Sequence, residues 1–121
     1  MRPSRALATC ATLERRAAAA VFASNVERRR AEAAAAYEHE RTDALRAFMA
    51  SQPLWSSELC SIVVRRIDRT HAILQDLEQR TMSAQRYGES HEARRRRWAR
   101  MVRGLERRIA RAAEQEPVWP D

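Results

Sequence analysis

The positions from which proline and glycine are missing constrain this chain more than any residue it contains. Its four prolines are Pro3, Pro53, Pro117 and Pro120, and its two glycines are Gly88 and Gly104. Proline costs about 3 kcal/mol in a helix interior, because it lacks an N–H and clashes with the preceding turn. Residues 4–52 and 54–116 are free of it. The spacing predicts an all-α fold of two long helices in an antiparallel coiled-coil hairpin. Helix 1 spans about 4–51, a bend about 51–57 and helix 2 about 57–116, with a non-helical tail over 117–121. The whole chain, 1–121, is read as one helical-hairpin domain. At 1.5 Å per residue the helices are about 70 and 90 Å long.

The local signals agree with these bounds. Ser4, after Pro3, is a competent N-cap for helix 1. Gln52 precedes Pro53 and is pushed away from the α region. Helix 2 is capped either by Ser51, with Pro53 in the first turn, or by Ser56, with Ser57 and Glu58 opening the helix.

Periodicity separates the two helices. In helix 2, alternating steps of three and four link Cys60, Val63, Ile67, Thr70, Leu74, Leu77, Thr81 and Ala84. The same steps continue through Gly88, His91, Arg95, Trp98, Val102, Leu105, Ile109 and Ala112. That is one uninterrupted left-handed coiled-coil register. Its middle, at Thr81, Gly88, His91 and Arg95, is polar or small and predicts looser packing. The large apolar residues of helix 1 fit no single phase: Leu7, Leu13, Val21, Phe22, Val26, Tyr37, Leu45, Phe48 and Met49. Alanine blocks at 17–20 and 33–36 satisfy several registers at once. Apolar residues make up 45% of the chain, but much of that is alanine, which favours helix and fills little core. So thin a core predicts association with a partner or with a second copy.

The formal charge is +7 and all 23 basic residues are arginine. Residues 91–113 hold nine arginines against Glu92 and Glu106. In the helix 2 register Arg96, Arg100, Arg103 and Arg107 point outward, with Arg97 and Arg111 beside them. Arg2, Arg5, Arg15 and Arg16 belong to the same open end of the hairpin, where the field is strongly positive. A plain solvated face competes with a binding stripe for an acidic protein. Nucleic acid is the weaker alternative. The apolar register after Arg97 is short, no asparagine stands among the arginines to read bases, and no aromatics interleave on the outer face. Nonspecific phosphate binding survives that argument. At the bend, Phe48, Met49, Leu54 and Trp55 either close the tip on themselves or present a contact patch to a partner.

Other functions find little support. Cys10 and Cys60 fall far apart in the hairpin, which excludes a bridge within the chain and suits a reducing compartment. No run of about 20 apolar residues offers a membrane span, and the cytoplasm is the expected location. His39, His71 and His91 form no metal-spaced cluster with cysteine or carboxylates. With no phosphate loop, no nucleophile–base pair and no concave site, the chain reads as a non-enzyme without catalytic residues, metal or cofactor.

The layout resembles the small coiled-coil stalk proteins of bacterial type III secretion and flagellar export, the YscO/FliJ group. The similar features are Leu7 followed by Leu13, Glu14, Arg15, Arg16 and Ala17, a charged Ala-rich first helix, an apolar bend and an Arg-rich final helix. The resemblance implies a two-helix hairpin similar to the central stalk of rotary ATPases, one end engaging a secretion ATPase and the other an export gate. It implies a cytoplasmic protein at the periphery of a membrane-bound apparatus. The basic end, with Arg96, Arg100, Arg103 and Arg107, suits an acidic ring interior. The apolar bend, with Phe48, Leu54 and Trp55, suits a hydrophobic groove on the gate or on a chaperone. The alternatives are a basic hairpin that binds nucleic acid nonspecifically and a self-assembling coiled-coil scaffold.

Overall fold

The computed structural model describes residues 2–52 and 56–115. It is all-α: α1 spans Pro3–Ser51, α2 spans Ser57–Gln115, and the two pack against each other as an antiparallel hairpin. No described helix is long and apolar enough to cross a membrane.

The start of α1 differs from the expected cap. Pro3 itself opens the helix, and the N–H groups of Arg5 and Ala6 both donate to the Arg2 carbonyl at 3.1 Å. Ser4 therefore lies inside the first turn. Proline's fixed φ suits the first helical position, and its missing N–H leaves one fewer donor to satisfy there. At α2 the Ser56 alternative is the one realised. Its Oγ accepts the Leu59 N–H at 3.1 Å and its carbonyl accepts that of Cys60 at 3.0 Å. Glu58 then sits in the first turn, where a negative charge complements the helix dipole.

Burial in α2 follows the expected register. Its positions from Val63 through Ile109 are all buried or half-buried, and only the end members Cys60 and Ala112 are exposed. Near the start of α2 Leu59, rather than Cys60, is drawn inward.

α1 has an equally strict register, made of different residues. Steps of three and four link Leu7, Cys10, Glu14, Ala17, Val21, Ser24 and Arg28, then Ala31, Ala35, Glu38, Thr42, Leu45 and Met49. Every one is buried or half-buried. Ala31 is 4% exposed, whereas Phe22 is 72% exposed. The packing face of α1 is thus mostly small and polar, with Leu7, Val21, Leu45 and Met49 as its large apolar members, and several other large apolar residues lie off it.

The chain forms two compact units. One holds Met1–Ala23 and Tyr87–Asp121, the other Ser24–Arg86. In the second unit Val63, Leu77, Ala84, Ala31 and Thr42 are the buried side chains. The Thr42 hydroxyl disposes of its proton locally, donating to the Glu38 carbonyl one turn back at 2.9 Å. Thr81 does the same to Leu77 at 2.9 Å. Arg28 is less well served, since its Nε is shielded from water without a hydrogen bond and the Glu32 carboxylate lies 4.0 Å away.

Candidate functional site

In the first unit the core is Cys10, Ala17 and Ala99, flanked by half-buried Leu7, Val21, Trp98, Val102, Leu105 and Ile109. Its polar register position, Arg95, is tied down by Glu92. Arg95 Nε and Nη2 donate to the two carboxylate oxygens at 2.8 and 2.5 Å, a bidentate fork. Arg96 Nε adds a third contact at 3.3 Å. Glu14 of α1 contributes favourable charge to Arg95 from across the hairpin.

These contacts hold the Glu92 carboxyl down to about 2. The Arg95 hydrogen bonds are the largest cause, desolvation opposes them, and the Arg95 and Arg96 charges assist. A carboxyl whose folded value lies below its ordinary 4.5 adds stability above that pH and loses it as the pH falls towards 2. Thermal unfolding followed by circular dichroism between pH 5 and 2 checks this. The midpoint of the wild-type chain is expected to fall more steeply across the window than that of Glu92→Gln.

The outward stripe stands where the sequence puts it. Arg96, Arg100, Arg103, Arg107 and Arg111 are all exposed. Of these, Arg96 alone has an ion pair among the described residues, to Glu92 at 3.3 Å. With Glu92 engaged by two arginines, little acidic charge in this stretch remains to offset the others. At the bend, Phe48 is 49% exposed and Met49 is half-buried on the packing face. Leu54 and Trp55 lie outside the described residues. So does the tail over 117–121.

Two grooves have no counterpart in the sequence reading. In the first unit a groove of about 440 Å3 is walled by Ala6, Thr9, Cys10 and Leu13 of α1. Trp98, Met101, Gly104, Leu105 and Arg108 of α2 form its other wall. A Cβ placed on Gly104 meets nothing within 4 Å, so the glycine is open to this space rather than pressed against a neighbour. In the second unit a smaller groove of about 190 Å3 gathers Arg41, Arg66 and Arg69 with Thr42 and Thr70, and Glu38 partly offsets their charge. The signal for the larger groove was present in the seven-residue spacing, where arginines bracket small or apolar residues on both helices.

Both cysteines are free, Cys10 buried and Cys60 exposed. Among the described residues no three His, Cys, Asp or Glu side chains gather as metal ligands would. Compared with known proteins, the chain matches no family model, no curated protein and no solved structure.

Proposed function

We propose that the chain is a non-enzymatic coiled-coil stalk or adaptor, of the kind that links a type III secretion ATPase to its export gate. The observation that carries this reading is the exposed arginine face of the first unit. Arg100, Arg103 and Arg107 have no carboxylate partner among the described residues and stand on a helix held in a hairpin. Arginine presents a rigid planar fork that suits carboxylates, so an acidic ring interior is a fitting partner. The apolar bend, where Phe48 stands half-exposed, would face the gate or a chaperone. Such a protein works in the cytoplasm, beside the membrane-bound apparatus.

Reversing Arg100, Arg103 and Arg107 to glutamate tests the basic end in a purified system with a type III secretion ATPase. Binding is expected to weaken by about 100-fold or more, as several close charge pairs turn repulsive, and stimulation of ATP hydrolysis to disappear. Unchanged binding and stimulation would refute the assignment. The circular dichroism spectrum should be unaltered, because the three side chains are exposed.

A further inference from the structure

The larger groove is built on a seven-residue plan. Residues seven apart share a helix face in a coiled coil. On α2 one such column reads Arg94, Met101, Arg108 and the next Arg97, Gly104, Arg111. On α1 the matching columns are Ala6, Leu13, Ala20 and Arg2, Thr9, Arg16. Met101, Gly104, Leu13 and Thr9, the middle members, line the groove. The centre is therefore apolar and open, with arginines at both ends. None of these columns contains an acidic residue within the unit. None of the six arginines makes an ion pair or side-chain hydrogen bond among the described residues.

We infer that this groove is a docking site for an acidic amphipathic helix of a partner protein. The third helix lies along the seam of α1 and α2, placing a large apolar side chain over Gly104 and against Met101 and Leu13. Its carboxylates sit seven positions before and after that anchor, about 10 Å away on each side, within reach of the bracketing arginines. Charge selects this occupant over a second copy of the chain, which carries a net +7 and would bring arginines to arginines. The site borders the arginine stripe, since Arg100 and Arg107 stand four residues before and three after Gly104 and Arg111 belongs to both, but its apolar floor at Leu13, Met101 and Gly104 is separate from the stripe. It stands whether or not an ATPase is the partner.

A labelled synthetic helix of about 15 residues, with glutamates at both ends and leucines around a central tryptophan, provides the probe, titrated with the full chain by fluorescence anisotropy. Two control peptides replace the glutamates by glutamine or the central anchor by alanine. The wild-type chain is expected to bind the probe at micromolar concentration and each control at least tenfold more weakly. A Cβ at Gly104 meets nothing within 4 Å, so Gly104→Leu projects into the open groove, and its better helix propensity favours a folded variant, which circular dichroism checks. It is expected to bind the probe at least tenfold more weakly, as is the pair Arg97→Glu and Arg111→Glu. The proposal falls if the wild-type chain fails to bind the probe, if Gly104→Leu binds it unchanged, or if the alanine control binds as well. It also falls if Gly104→Leu dissociates a dimer in sedimentation, since the occupant is then a second copy. Binding that appears only after removal of residues 116–121, which contain Glu116, Trp119 and Asp121, likewise overturns it in favour of the chain's own terminus.

Discussion

Replacing Ala31 by leucine is expected to destabilise the second unit by about 1–3 kcal/mol, although the change makes the chain more hydrophobic. Ala31 is 4% exposed, so its methyl group is covered on all sides by the opposing helix and its own neighbours. Three further carbon atoms find no space there, and they must either take a poor rotamer or push the helices apart. Phe22→Ala is the matched control. The ring is 72% exposed, so its loss is expected to change stability by no more than about 0.5 kcal/mol, despite the larger apolar deletion. Urea unfolding followed at 222 nm measures both. If Phe22→Ala costs more than Ala31→Leu, the packing face of α1 has been assigned to the wrong side.

Leu77→Ala is expected to cost about 2 kcal/mol, near the lower end of the range for buried leucine. Leu77 is 8% exposed and is, with Val63, one of the few large apolar side chains buried in the second unit. Deletion removes its transfer free energy and leaves a cavity. A two-helix core is open at its flanks, so neighbours can partly relax into the space, which keeps the cost below that of a globular interior. Met82, five residues on, is 53% exposed, and its truncation to alanine is expected to be close to neutral. A Leu77→Ala effect no larger than that of Met82→Ala would show that the expected register of α2 does not describe its buried face.

The two helices were unequally legible. In α2 the apolar positions Val63, Ile67, Leu74, Leu77, Trp98, Val102, Leu105 and Ile109 mark the buried face unaided, and the structure buries or half-buries each of them. α1 hides its face, because it uses Glu14, Ser24, Arg28, Glu38 and Thr42 where a heptad ordinarily has aliphatics. Its Phe22, Tyr37 and Phe48 point elsewhere, so a search by hydrophobicity weights the wrong residues. The usable clue was complementarity: the polar middle of α2 needs polar partners, and Glu14 is one for Arg95. The Ser4 cap failed for a local reason, since Pro3 could open the helix itself. The arginine stripe was legible because outward positions follow directly from the α2 register. The groove was missed because it depends on residues from both helices, and the α1 column could be placed only once its register was known.

The unbroken three–four spacing of both helices also governs how such a chain can change over generations. Deleting one residue rotates the remainder of that helix by about 100°, turning arginines into the seam and Leu105 or Ala31 out of it. Loss or gain of seven residues leaves every face in place and only shifts one helix along the other. Length variants that still fold should therefore differ by heptads, removed in matched pairs from α1 and α2. In such variants the groove in the first unit survives only where its bracketing arginines move together with Gly104.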